Sequence, residues 1–238
     1  MTNNMFFIAN WKMFGDIRSV NSTKKVIKFS KNKKYKRAQI IYCPPYTLLE
    51  KFLKITKKSK IKIGAQNCHY SQRPGPFTGS ISANLIKSIG ANYVIIGHSE
   101  NRISGDNNHT INLKIKSALK EKLKVIFCIG ETLNEKRRNK TNLVLKNQIT
   151  RGLKNIKNNN IIFAYEPVWS IGTGVIPTNN SLKKQILNIK KLDNIIFAYE
   201  PVWCIGTGVI PKISDLKNNL IRIQKIIKNK FNSKNPTI

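Results

Sequence analysis

The stretch Asn160–Pro177 reads NIIFAYEPVWSIGTGVIP, and Asn194–Pro211 reads NIIFAYEPVWCIGTGVIP. The copies begin 34 residues apart and differ at one position, Ser170 against Cys204. Each opens on a nearly continuous apolar run of strand length, which suits a strand buried on both faces of a parallel sheet. A carboxylate follows, Glu166 or Glu200, then a stiff Pro-Val-Trp segment and a Gly-bearing loop. A stiff hinge beside a flexible tip suits a loop that closes over a substrate. An ordinary strand–helix connection, in which glycine permits a turn, would read similarly.

The same pattern recurs along the chain. Apolar runs predict strands at Met5–Asn10, Gln39–Cys43, Lys60–Ala65, Ala91–Gly97, Lys124–Ile129 and Asn160–Tyr165, with Asn194–Tyr199 as the second copy. Between them, Val20–Lys31, Ile81–Ile89, Asn108–Glu121 and Leu143–Leu153 place apolar residues at helical spacing with lysines opposite. Ser181–Lys191 predicts a short crossover helix, and Ser80 and Asn180 are candidate N-caps. Repeated strand–helix units imply right-handed βαβ crossovers and a parallel sheet. No low-complexity linker divides the chain, so residues 1–238 are expected to form a single domain, with 194–238 as a duplicated strand-six, lid and helix unit.

The composition narrows the class. The net charge is +32, but only eight of the 43 basic residues are arginine and they are dispersed from end to end. With abundant Asn and Ile, this is the bias of an A/T-rich coding sequence laid over solvated helix faces, and no nucleic acid partner is expected. The positive field would still draw in an anionic substrate. No apolar run approaches the ~20 residues that span a bilayer, and the start lacks a basic leader region, so a cytoplasmic protein with no membrane contact is expected. Cys43, Cys68, Cys128 and Cys204 are scattered, without the paired spacing of a zinc site or a disulfide framework.

In a parallel α/β fold the residues just past the strand ends gather on one face. Those residues are Asn10 and Lys12 after the first strand, Gly97-His98-Ser99-Glu100 after the fourth, Cys128-Ile129-Gly130-Glu131 after the fifth and Glu166-Pro167 after the sixth. A lysine, a histidine and a carboxylate together suit proton transfer beside a carbonyl. The carboxylate removes a proton from carbon, the histidine polarises the carbonyl, and the lysine holds an anion and the developing enediolate. Gly172 and Gly174 could offer backbone N–H groups to a phosphate.

These motifs resemble the triosephosphate isomerase family. The resemblance is carried by Ala9-Asn10-Trp11-Lys12-Met13, Gly64-Ala65-Gln66-Asn67, Phe77-Thr78-Gly79, Ile96-Gly97-His98-Ser99-Glu100, Cys128-Ile129-Gly130-Glu131 and Ala164-Tyr165-Glu166-Pro167-Val168-Trp169, in family order over about residues 5–190. It implies an α/β fold of the (β/α)8 TIM-barrel type and an isomerase of glycolysis and gluconeogenesis. That enzyme would interconvert D-glyceraldehyde 3-phosphate and dihydroxyacetone phosphate through an enediolate, with no cofactor or metal. Residue by residue, it implies Glu166 as base, His98 as neutral electrophile and Lys12 as catalytic cation. Asn10, Lys12 and Gly172 are implied as substrate-binding, and Glu100, Cys128, Trp169 and Thr173 as supporting and lid positions. Thr78 is implied to reach a second subunit of a homodimer.

Two departures stand near the motifs: Asn101 where the family usually has a first arginine before Arg102, and Ser80 where a glutamate is usual. A third is larger. The family continues into a seventh strand with a Tyr-Gly-Gly-Ser-like turn and an eighth with a Gly-Gly turn, whereas no glycine follows Gly208 here. The barrel is therefore expected to be incomplete, six family-like strands plus the duplicated unit. Loss of two phosphate-gripping turns would cost on the order of several kcal/mol in the transition state. An inactive or weakly active rearranged isomerase is the alternative function. Two placements of the repeat compete: copy one in position six and copy two in position seven, or copy two in position six with 160–193 looped out. The first buries both copies and is preferred.

Overall fold

The computed structural model describes residues 5–33, 38–157 and 160–171. The second copy with Glu200 and Cys204, helix Ser181–Lys191, the cap at Asn180, and Gly172 and Thr173 lie outside the described residues. Within them, strands β1 (Met5–Asn10), β2 (Ala38–Cys43), β3 (Lys62–Ala65), β4 (Tyr93–Ile96), β5 (Lys124–Ile129) and β6 (Ile161–Tyr165) form one sheet. Neighbours follow chain order and every pairing is parallel, so the sheet curls as part of a TIM-type barrel.

Both faces of this sheet are buried, which is why its strands are uninterrupted apolar runs rather than alternating ones. Side chains still alternate between faces with period two. Val94 and Ile96 of β4 and Val125, Phe127 and Ile129 of β5 join the layer packed under the helices. Tyr93, Ile95, Ile126 and Cys128 join the opposite layer with Ile41, Cys43 and Ile162.

The helices are α1 (Thr23–Ser30), α2 (Tyr46–Thr56), α3 (Ala83–Ser88), α4 (Ser99–Ile103), α5 (Asn108–Lys120), α6 (Leu133–Arg137) and α7 (Thr141–Gly152). The helix expected from Val20 begins as a 3₁₀ turn, Ser19–Ser22, and becomes α-helical at Thr23. The expected cap at Ser80 falls instead on Ser82. Ser80 is used in a turn, its N–H bonding to the Phe77 carbonyl, whereas Ser82 is extended and its hydroxyl accepts the Leu85 N–H. Helix α2 lies outside the helices that apolar spacing predicts; it starts from an extended Pro45 and buries Leu48, Leu49, Phe52 and Thr56. The fourth strand stops at Ile96, one residue short of expectation, because Gly97 turns to φ +79°.

Copy one occupies position six: β6 pairs with β5 from Val125↔Ile161 to Ile129↔Tyr165. The placement with 160–193 looped out is therefore not the one adopted. Where copy two sits lies outside the described residues. Among the described residues, no helix is long and apolar enough to cross a membrane.

Candidate active site

The ends of β1, β4, β5 and β6 deliver the polar groups. Two residues past Asn10, Lys12 adopts φ +52°, a left-handed conformation that is uncommon for a residue with a side chain and persists where surroundings hold it. Its N–H donates to Asn10 Oδ1 at 3.0 Å, and its ammonium reaches Glu100 Oε1 at 2.8 Å. Asn10, Lys12, His98 and Glu100 all line a cavity of about 610 Å³, together with Tyr46, Gln66 and Lys114.

The turn at Gly97 sends the chain into α4 with His98 at its N-cap. There the Nδ1 atom accepts the Glu100 N–H at 3.2 Å. The other ring nitrogen is Nε2. That nitrogen lies 2.9 Å from Glu166 Oε1, and both side chains are almost fully buried. The second carboxylate oxygen, Oε2, accepts the Ser99 N–H at 3.4 Å. Arg102 secures the turn from behind: it donates to the Gly97 carbonyl at 2.8 Å, to Asn108 Oδ1 at 2.9 Å and to the Cys128 carbonyl at 3.3 Å.

Glu166 continues the β6 ladder, its N–H bonding to the Ile129 carbonyl at 2.8 Å. Burial raises its carboxyl pKa; the His98 ring, the Ser99 N–H and the Lys12 ammonium favour the charged form and prevail. The net direction is below the ordinary 4.5. Beyond it, the 3₁₀ turn Val168–Ser170 buries Trp169, whose indole Nε1 donates to Glu131 Oε1 at 3.0 Å. Tyr165 donates its hydroxyl to the same carboxylate, and the Lys136 ammonium lies over the Trp169 ring. Glu131, 1% exposed, thus ties the residues on both sides of Glu166 to the end of β5.

The structure therefore gathers Asn10, Lys12, His98, Glu100 and Glu166, with Cys128 buried on the adjoining strand. Thr78 stands apart, exposed on the β3–α3 loop. Sequence reasoning gave no role to Gln66, Arg102 or Glu131, although all three stood inside or beside quoted motifs. A lone carboxylate after a strand was the available signal for Glu131. Among the described residues, no cluster of three or more His, Cys, Asp or Glu side chains is arranged to hold a metal.

Comparison with known proteins gives a consistent picture. The family model described as triosephosphate isomerase matches residues 5–192 and again 178–238. Among curated proteins, the triosephosphate isomerase of Dictyoglomus thermophilum is 43% identical over 171 residues, covering 70% of this chain and 68% of that one. That of Thermodesulfovibrio yellowstonii is 40% identical over 188 residues, covering 78% and 75%. A match to the Alkaliphilus metalliredigens enzyme, 43% identical, spans 63% of that relative's length. The crystal structure of the Bartonella henselae triosephosphate isomerase superimposes with a TM-score of 0.71 at 31% identity, covering 82% of each chain.

Proposed function

The chain belongs to the triosephosphate isomerase family, a family of isomerases, and we propose on that footing that it interconverts D-glyceraldehyde 3-phosphate and dihydroxyacetone phosphate without cofactor or metal. The observation that carries the reading is the pairing of a carboxylate with an imidazole, Glu166 Oε1 and His98 Nε2 at 2.9 Å. No carbon atom fits between groups this close, so bound substrate displaces the contact and the carboxylate moves onto carbon. Its place at the foot of the Pro167-Val168-Trp169 hinge couples that movement to the lid.

Starting from the ketone, Glu166 takes a proton from C1 while His98 Nε2–H bonds to the C2 carbonyl oxygen. The charge that develops on that oxygen is met by the imidazole hydrogen and by the Lys12 ammonium. His98 then moves a proton between the two oxygens, and Glu166 returns a proton to C2. Lys12 and Asn10 hold the anionic substrate, and the amide of Gly172 binds its phosphate. Glu100 orients Lys12, and Cys128 backs the site. Trp169 and Thr173 belong to the lid. Thr78 contacts a second subunit in a homodimer, and the chain acts in the cytoplasm.

The proposal is tested by incubating the purified chain with dihydroxyacetone phosphate in D₂O and following products by NMR. Glyceraldehyde 3-phosphate carrying deuterium at C2 is expected, because a proton held on a carboxylate exchanges with solvent before it returns. A folded chain that forms no product would favour the second reading, an inactive rearranged isomerase. One observation favours that reading: the family match restarts at residue 178, overlapping the first, so the chain is not one linear copy of the family sequence.

The acid limb of activity follows from Glu166. Its carboxyl is depressed in the folded protein, so its ionised form contributes stability above the ordinary value, lost as pH falls through the folded value. The enzyme's own acid limb in kcat/KM, once the substrate phosphate's ionisation near about pH 6 is divided out, is therefore expected below pH 4.5. An enzyme limb near about pH 6.5, the ordinary histidine value, that remains after that division would assign the proton to His98 instead.

A further inference from the structure

The Gly64-Ala65-Gln66-Asn67 motif has no part in the reaction as described, yet Gln66 occupies a particular junction. It is the first residue past β3. Its Nε2 donates to the Lys12 carbonyl at 2.8 Å and to the Cys43 carbonyl at 2.8 Å. Both hydrogens of the amide nitrogen are thereby used. Cys43 ends β2 and its carbonyl also accepts the Trp11 N–H at 3.0 Å. One side chain thus joins the ends of β2 and β3 to the chain leaving β1.

What it grips there is the left-handed Lys12, and such a conformation lasts only where neighbours over-determine it. Lys12 is held at three points. Its N–H bonds to Asn10, the last residue of β1 and two residues back, so this bond closes a local turn. Its ammonium meets Glu100, whose side chain is 55% exposed. Gln66 holds the carbonyl and is itself bonded to Cys43, so it is the contact that ties the Lys12 carbonyl to the ends of β2 and β3.

We propose that Gln66 is a positioning residue for the reaction: it locks the Lys12 backbone in its left-handed turn and so aims the ammonium at the substrate anion. The proposal rests on the reading of Lys12 given above. Lys12 both holds the substrate anion and meets the charge that develops on the carbonyl oxygen, so disturbing Gln66 should raise KM and lower kcat together.

The test uses the full chain with Gln66→Glu, which keeps the shape but replaces the donor with oxygens that repel both carbonyls. Gln66→Ala serves if that variant does not fold. Amide exchange by NMR is expected to quicken at least about tenfold at Lys12 and Trp11 while Val125–Ile129 stays protected. KM is expected to rise on the order of tenfold to a hundredfold. Combined with Lys12→Met, the Gln66 change should add nothing further, since both act through one contact. Where turnover is too low for KM, the Kd of dihydroxyacetone phosphate replaces it. A normal KM for Gln66→Glu beside a raised KM for Lys12→Met would overturn the proposal, as would fully additive effects or unchanged exchange at Lys12. A normal KM for Lys12→Met would overturn the reading of Lys12 itself.

Discussion

Glu166→Gln is expected to lower kcat by about a thousandfold, the loss of a positioned general base. The substitution is nearly isosteric. The carboxylate meets the Ser99 N–H through Oε2 and His98 Nε2 through Oε1, so the single amide oxygen keeps one of these contacts and sets its NH2 against the other, while the backbone pairing of β6 with β5 should persist. What disappears is the proton acceptor. In the proposed mechanism His98 acts as an acid toward the carbonyl and is no substitute base. Steady-state kinetics with dihydroxyacetone phosphate measure the loss, and an unchanged unfolding midpoint would show that it is chemical. A variant that keeps more than about a tenth of parent kcat would mean that another group removes the proton.

Gly130→Ala is expected to damage both stability and catalysis. A β-carbon at Gly130 would fall on the Glu166 carbonyl. The loop cannot retreat, because Gln148 grips it from behind: its Oε1 accepts the Gly130 N–H and its Nε2 donates to the Gly130 carbonyl, each at 2.9 Å. Relief must come from the end of β6, at the expense of the Glu166 N–H bond to Ile129. Overpacking of this kind costs about 3 kcal/mol. A base displaced by about 1 Å costs on the order of a hundredfold in rate. Denaturant titration and kcat together check this. A variant as stable and as active as the parent would show that β5 and β6 do not approach so closely behind the site.

The fold was legible where the physics is local. Strands buried on both faces announce themselves as apolar runs, and Lys124–Ile129 was placed with its observed bounds. Asn10, Lys12, His98 and Glu166 could be placed together because strand ends share one face. Other features depend on partners distant in sequence. Glu131 is explained by Trp169, 38 residues on, and Gln66 by Lys12, 54 residues back. Nothing in either residue type reveals that pairing. The left-handed turn of Lys12 is equally silent in sequence, since its neighbours rather than its own preference impose it. Helix α2 escaped notice because its apolar positions follow directly on a Pro-Pro pair that reads as a turn.

The repeat leaves one question above the rest, which carboxylate is the base. Copy one, in position six, places Glu166 beside His98. Measuring kcat for Glu166→Gln and Glu200→Gln side by side tests this most directly. The account predicts that turnover is lost in the first and retained in the second. Loss in Glu200→Gln with retention in Glu166→Gln would contradict it and assign the catalytic position to copy two.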